Sequence, residues 1–288
     1  MSPVRGGDDG GDGDDRVAAA QAGGGAPPRP RHRTAWTVAA ALSAVFIVAP
    51  GAWTLWNQQA GGRGVLHGGS GERPVTALEI DAGAASVTVS PRADQQVAYR
   101  ADLLWSFGRP EIEESWLGGT LRLTPRCPGG DGLVRAGSGC TVDLGVSVPA
   151  DIPVRVTGDS GKVDISGLGG AVDVETGSGA LRLTALRGPL RAVVHSGSLE
   201  GSALTSPEAD IRAGTGSAVA RFLTPPVRLT ARSDSGAVQV TVPVGTRFQV
   251  ASRVGSGSLE VARGMRDPAA PGHLDLSVES GRAQARYP

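Results

Sequence analysis

The sequence predicts an all-β protein, a stacked-strand β-solenoid that is preceded by one transmembrane α-helix. Three observations lead to this prediction. A short Gly/Ser motif recurs seven times in the second half of the chain. Apolar and polar residues alternate on both sides of each copy, which is the period of a half-buried strand. A charge-free apolar stretch lies upstream, at residues 35–56, and is long enough to cross a bilayer.

Each copy of the motif ends in what we term a corner glycine. Copies such as TGDSG, TGSG and SDSG recur at steps of 18 to 24 residues. Every copy joins two short alternating strands, and such a unit buries its apolar face only when copies stack. Glycine here suits a tight turn with a positive φ. The corner glycines are Gly161, Gly179, Gly197, Gly216, Gly236, Gly257 and Gly281.

Alignment on the corner glycine reveals columns of similar residues. The inner column of the first strand is predicted to be Val156, Val174, Ala192, Ile211, Leu229, Val250 and Leu276. A leucine follows the second strand in the first four units, as Leu168, Leu186, Leu204 and Leu223. The predicted outer column alternates in charge almost throughout and comprises Arg155, Asp173, Arg191, Asp210, Arg228, Gln249 and Asp275. Stacked opposite charges contribute about 0.2–1 kcal/mol each.

The second strand repeats this alternation in Asp164, Arg182 and Glu200. A β-sandwich of hairpins is the main alternative fold, but it would not require charges to alternate at one-unit spacing. The alternation therefore favours the solenoid, with residues 151–288 as the repeat domain.

The first 74 residues divide into three predicted segments. Residues 1–34 are rich in Gly, Pro and Asp and are expected to be a disordered cytoplasmic tail, whose Gly-Asp run lacks the regular apolar residue of calcium-binding repeats. Residues 35–57 are predicted to be a signal anchor, with a cleaved signal peptide as the alternative. Arginines precede this span, so the positive-inside rule predicts a single-pass protein of the cell membrane whose C-terminal domain is extracellular. Residues 58–74 are predicted to be a flexible stalk.

Residues 75–150 are predicted to form an irregular β cap, in which residues 77–90 resemble an early repeat unit. The cap contains Trp105, Trp116 and the chain's two cysteines, Cys127 and Cys140. Both cysteines lie on the predicted outer side, where a disulfide is the default. Three glutamates could form a small acidic site, although solvated loop charges are more common: Glu111, Glu113 and Glu114. No metal site or cofactor is expected.

Ser160 raises the question of catalysis, because the string Gly158-Asp159-Ser160-Gly161 also surrounds the nucleophile of chymotrypsin-like proteases. A small hydroxyl residue precedes the corner glycine in every unit, so the string is explained by the repeat. His195, the histidine of the repeats that lies nearest to Ser160 in the sequence, is two units away, about 10 Å by strand spacing. That distance exceeds the reach of a general base. We therefore expect no enzyme activity.

The repeats resemble a known family, the adhesin-like repeat domains of bacterial envelope proteins, a domain of unknown function. The resemblance rests on VTGDSGKVDISGLGGAVDVETGSGALRL, SGAVQVTVP and VGSGSLEV. It implies an all-β stacked-strand solenoid and supplies no catalytic residues. His195 at a glycine position and the long last step depart from the family pattern. Some relatives belong to envelope stress-response systems.

Three functions follow as hypotheses. The first is a membrane-anchored, non-enzymatic extracellular solenoid that binds or scaffolds an envelope protein or cell-wall glycan. The second is an envelope stress-response component that acts through membrane protein partners. The third, a polysaccharide-active enzyme, would need clustered carboxylates, whereas the acids here alternate with arginines. A nucleic-acid partner is not expected, because the net charge is +0.

Overall fold

The computed structural model describes Ser43, Val48 and residues 61–106, 108–127 and 139–288. The predicted tail at 1–34 lies outside the described residues, and so does the predicted anchor at 35–57 apart from Ser43 and Val48. Within the part that is described, no helix has the length and hydrophobicity needed to cross a membrane. The strands belong to the compact unit Trp53–Pro288.

Between residues 61 and 288 the described chain is all-β and forms 21 strands. The first seven are β1 Gly62–Gly69, β2 Ala77–Gly83, β3 Ser86–Arg92, β4 Ala98–Trp105, β5 Glu111–Leu117, β6 Thr120–Arg126 and β7 Thr141–Pro149. The next seven are β8 Val154–Gly158, β9 Lys162–Ser166, β10 Val172–Thr176, β11 Ala180–Thr184, β12 Leu190–Val194, β13 Ser198–Leu204 and β14 Glu208–Ala213. The last seven are β15 Ser217–Phe222, β16 Arg228–Ser233, β17 Ala237–Thr241, β18 Phe248–Val254, β19 Ser258–Val261, β20 Gly272–Val278 and β21 Arg282–Arg286.

The strands form two large sheets. One has 11 strands in the order β1-β4-β7-β3-β9-β11-β13-β15-β17-β21-β19. The other has ten strands in the order β18-β20-β16-β14-β12-β10-β8-β2-β6-β5. From β8 onward consecutive strands alternate between the sheets, and neighbours within a sheet are parallel. We call each consecutive pair, one strand from each sheet, a rung.

Alternating burial within each rung produces a shared core. In the rung of β8 and β9, Val156 and Ile165 are buried, whereas Arg155 between two inward valines is exposed. The register places Val156 beside Val174 and Ile165 beside Leu183 of the next rung. Inward side chains of both sheets belong to one hydrophobic cluster. Stacking of the rungs therefore buries the apolar side chains that a single pair of strands would leave exposed.

Two positions of the predicted inner column are wrong by two residues. Ala231, rather than Leu229, stacks on Ile211, and Ser252, rather than Val250, stacks on Leu276. Leu229 also faces the core, because a shift of two residues keeps a side chain on the same face of a strand. Alternation alone thus identifies the face but leaves the register along the strand open.

The order of the last rungs also differs from chain order. The rung of β20 and β21, which comes last in the chain, lies between the rung of β16 and β17 and the rung of β18 and β19. Gly281 therefore stacks on Gly236, and Gly257 stacks on Gly281. The linker at residues 262–271 makes this inversion possible, because Met265 and Phe248 pack in the core where the linker returns.

The corner glycines do not adopt the expected positive φ. In the described chain positive φ occurs at other glycines and at Ala185 and Ala203, with φ of 53° at each alanine. The corners need glycine for a different reason. A Cβ on Gly197 would overlap the carbonyl oxygen of Gly179 in the neighbouring rung, and the other stacked corners repeat this contact. Glycine is therefore required at these corners because the backbones of neighbouring rungs approach closely, and not because φ is positive.

The leucine column holds for three rungs. Leu168, Leu186 and Leu204 are fully buried, and each directly follows a residue with positive φ. In the fourth rung Leu223 is 65% exposed, and Phe222 takes the core position instead. The register shift between β13 and β15, which pairs Leu204 with Phe222, explains this exchange.

The predicted cap is more regular than expected. Strands β2 and β3 form a rung that stacks in parallel on β8 and β9. Beyond them β4, β1 and β5 add antiparallel strands at the sheet ends. A disulfide joins Cys127 to Cys140, which confirms that pairing. Trp105 and Trp116 are half-buried against the core, with Arg109 and Arg73 over their respective rings.

The predicted stalk is wrong for residues 62–69. These residues form β1, which pairs antiparallel with β4. Its glycines provide the space for aromatic side chains of β4, because a Cβ on Gly62 would lie 2.5 Å from the Trp105 ring. The Gly-rich composition that suggested flexibility instead accommodates an aromatic contact.

Candidate binding face

Most ion pairs among the described residues lie on the outward face of the ten-stranded sheet. Strands of this sheet stack in register, so that equivalent outward positions form straight columns about 4.8 Å apart. One column runs through Arg122, Glu79, Arg155, Asp173, Arg191 and Asp210 and alternates in sign at every step. The next residue in this column is Thr230, which ends the alternation.

Asp173 is the centre of this charge ladder. Its carboxylate lies 2.9 Å from a guanidinium nitrogen of Arg191 and 3.6 Å from one of Arg155. One carboxylate therefore bridges the rungs on both sides. The predicted ladder is confirmed from Arg155 to Asp210, but its continuation through Arg228 is wrong. Arg228 instead pairs with Glu208, at 2.9 Å, in a parallel column.

The second predicted ladder lies on the outward face of the other sheet. The register places Arg182 between Asp164 and Glu200. Arg182 contacts Glu200 at 3.4 Å, whereas Asp164 is 2.7 Å from Lys162 within its own strand. Arg221 lies 4.0 Å from Glu200 on the same face, which has fewer ion pairs than the ten-stranded sheet.

A groove of about 650 Å³ follows the charge ladder across seven strands of the ten-stranded sheet. Its lining combines the ladder charges with small apolar residues at the strand starts. Pro153, Ala171 and Pro189 are exposed there on successive rungs. The apolar strip and the charged column run side by side along the stacking direction, so the groove suits an extended ligand rather than a compact one.

A second polar cluster lies on the same face, beyond the groove. Nε2 of His195 is 3.0 Å from Oε1 of Glu175. Hydrogen bonding to His195 is the main cause that holds the pKa of Glu175 below its usual range, with smaller contributions from the charges of His195, Arg191 and Arg155. The cluster also borders Arg212. His195 occupies a glycine column, as predicted, but sequence reasoning missed its carboxylate partner, because that partner lies 20 residues upstream on another rung.

The structure places Ser160 at an exposed corner, two rungs from His195. The imidazole of His195 contacts Glu175 on the sheet face, so the structure does not bring the two protease-like residues together. The corner serines and Thr215 form a ridge of hydroxyls, in which Thr215 donates to Ser196 at 3.2 Å.

The glutamates of the cap lie on strand β5 rather than in a loop. Glu113 pairs with Arg126 at 3.2 Å. Glu114 accepts a short hydrogen bond from the hydroxyl of Tyr99 in the opposite sheet. Burial, followed by the interaction with Glu114, raises the pKa of Tyr99 well above its usual range. These contacts link the two sheets at the cap. Among the described residues, no group of three or more His, Cys, Asp or Glu side chains is arranged to hold a metal ion.

Comparison with known proteins gives distant matches only. No family model and no curated protein matches the chain. Among solved structures, a candidate cell adhesion protein from Clostridium sporogenes has a TM-score of 0.37 at 10% identity, covering 79% of this chain and 98% of its own. A candidate adhesin from Parabacteroides merdae has a TM-score of 0.40 at 11% identity, covering 78% and 95%.

A candidate lipid-binding protein from Parabacteroides distasonis has a TM-score of 0.35 at 12% identity, covering 77% of this chain and 96% of its own. Likenesses this distant carry no inference about the function of this chain.

Proposed function

We propose that the protein is a membrane-anchored, non-enzymatic extracellular β-solenoid that binds an extended glycan of the cell envelope. The observation that carries this proposal is the groove along the ten-stranded sheet, in which an apolar strip borders a column of alternating charges. From β8 onward, parallel strands alternate between the two sheets, which supports the solenoid. The apolar span at residues 35–57 supports the anchor.

The chemistry of the groove fits a polysaccharide. A sugar ring presents an apolar face and a rim of hydroxyls. The apolar strip of Pro153, Ala171 and Pro189 supplies contact for the ring face, while the neighbouring column alternates guanidinium donors with carboxylate acceptors. The apolar position recurs on every rung and the sign of the charge on every second rung, so a polymer lying along the groove meets the same environment every two rungs.

The pairing of the acids supports a binding role over hydrolysis. Glycosidases need one carboxyl group with a raised pKa and a second carboxylate nearby. Here Asp173 is held between two arginines, and Asp210 is 2.6 Å from Arg212. These carboxylates are each engaged by arginine, and they offer a ligand hydrogen-bond acceptors.

The test compares Ala171→Trp with Ala180→Trp in the full chain. Both alanines are exposed at the rung of β10 and β11, but Ala171 lines the groove directly before β10, whereas Ala180 lies on the outward face of the other sheet. We expect Ala171→Trp to reduce retention on purified bacterial cell wall at least about tenfold, because the indole fills the groove. Ala180→Trp is expected to bind like the wild type.

Equal retention of the two variants would refute the groove as the binding site. Absence of wall binding, together with specific capture of a membrane sensor protein, would favour the stress-response alternative. Release of soluble sugar from the wall by the wild type would refute the non-enzymatic role.

A further inference from the structure

The two ends of the sheets are finished differently. At one end the edge strands are the antiparallel β1 and β5, and β5 carries three glutamates along seven residues. Charges of this kind discourage a further strand from adding to an edge. At the other end the edge strands are β18 and β19, which are parallel to their neighbours and extend the regular stack. We call the rung of β18 and β19 the open rung.

Inward-facing positions that are buried in the remaining rungs are accessible to solvent in the open rung. Val254 stacks on Val278, which is buried, yet Val254 itself is 49% exposed. Leu259 and Val261 stack on buried alanines of β21 and are only half-buried. The linker at residues 262–271 covers only the beginning of β18, where Phe248 is fully buried. The rest of the open rung lacks a cover among the described residues.

We propose that the open rung pairs with the open rung of a second copy of this chain. A partner must continue two sheets at once, with the same separation between them and with apolar residues at the same alternate positions. The same end of another copy meets these requirements. A two-fold axis along the strand direction lays β18 of one copy antiparallel on β19 of the other, which is a permitted ladder.

Charge complementarity supports this arrangement. Arg253 points outward from β18, four residues before the corner glycine Gly257, and Glu260 points outward from β19, three residues after it. The two-fold axis brings Arg253 of one copy beside the partner's Glu260, and the symmetry produces this pair twice. The same axis places Val254 against the partner's Leu259 inside the joint core. One operation therefore satisfies the backbone edges, the apolar side chains and the charges.

The experiment measures self-association of the full chain in detergent by sedimentation velocity. We expect a dimer that Arg253→Glu weakens at least about tenfold, because two attractive pairs become repulsive. Glu260→Arg should weaken it similarly, and the double variant should restore it, because the opposite charges face each other again. Arg187→Glu, at an exposed arginine in a loop before β12, is the matched control and should leave the dimer intact.

A monomer for the wild type, or single and double charge variants that behave alike, would overturn the pairing surface. Oligomers that grow beyond the dimer would overturn the two-fold arrangement.

Discussion

Replacing Gly197 with alanine tests whether close backbone contact between rungs holds this fold together. The added Cβ would overlap the carbonyl oxygen of Gly179, which belongs to the backbone and cannot move aside as a side chain could. Relief requires the two rungs to separate at the corner. Separation weakens the hydrogen bonds that Ser196 and Ser198 donate to the previous rung at 2.8 and 3.2 Å.

The expected loss is about 3 kcal/mol of unfolding free energy. Overpacking of a closely packed site costs about 1–3 kcal/mol, and each weakened backbone hydrogen bond adds up to about 1 kcal/mol. The substitution leaves the hydrophobic core unchanged, because the corner lies at its margin. The loss would therefore come from the clash between the backbones and not from a cavity.

The matched control is Gly145→Ala in β7. A Cβ there meets only the carbonyl oxygen of Arg100, at 3.8 Å, which is an ordinary contact. Both variants remove the same conformational freedom from the unfolded chain, so that contribution cancels in the comparison. Urea denaturation of the full chain, followed by far-ultraviolet circular dichroism, measures both. Equal stabilities for Gly197→Ala and Gly145→Ala would refute the explanation of the corner glycines.

Three further predictions follow from local features. Ala203→Gly should raise the unfolding free energy by up to about 1 kcal/mol, because alanine is strained at a φ of 53°. Ala180→Gly, in an ordinary strand, should lower the unfolding free energy by about 0.5–1 kcal/mol. Thermal denaturation of the two variants distinguishes an increase in stability from a decrease. The lowered pKa of Glu175 contributes stability that is present above the carboxyl's ordinary pKa and is lost as pH falls through the lower folded value. Acid titration of stability should thus show a small loss below about pH 4.3 that Glu175→Gln lacks, and identical profiles would contradict it. Reduction of the Cys127–Cys140 disulfide should destabilise the cap by about 3 kcal/mol, measured by urea denaturation with and without reductant, and an unchanged midpoint would count against a stabilising role.

The candidate site was predictable only in part. Alternation of arginine and aspartate at one-unit spacing correctly predicted the ladder from Arg155 to Asp210, because these rungs have nearly equal lengths. The upstream members, Glu79 and Arg122, were missed because a long insertion separates β2 from β8 and β6 belongs to a hairpin. The apolar strip beside the ladder could have been found from prolines and alanines recurring at the strand starts. No local signal connected His195 to Glu175.

The sequence by itself determined the local parts of this protein. Period-two alternation determined which face of each strand is buried, the recurring corner glycine determined where strands end, and two cysteines determined the disulfide. Tertiary structure decided the rest. A shift of two residues preserves every inward face, so alternation could not distinguish Leu229 from Ala231 as the neighbour of Ile211. The position of the last rung inside the stack was likewise decided by tertiary contacts, because every rung offers a similar edge and the linker that carries Met265 into the core selects among them.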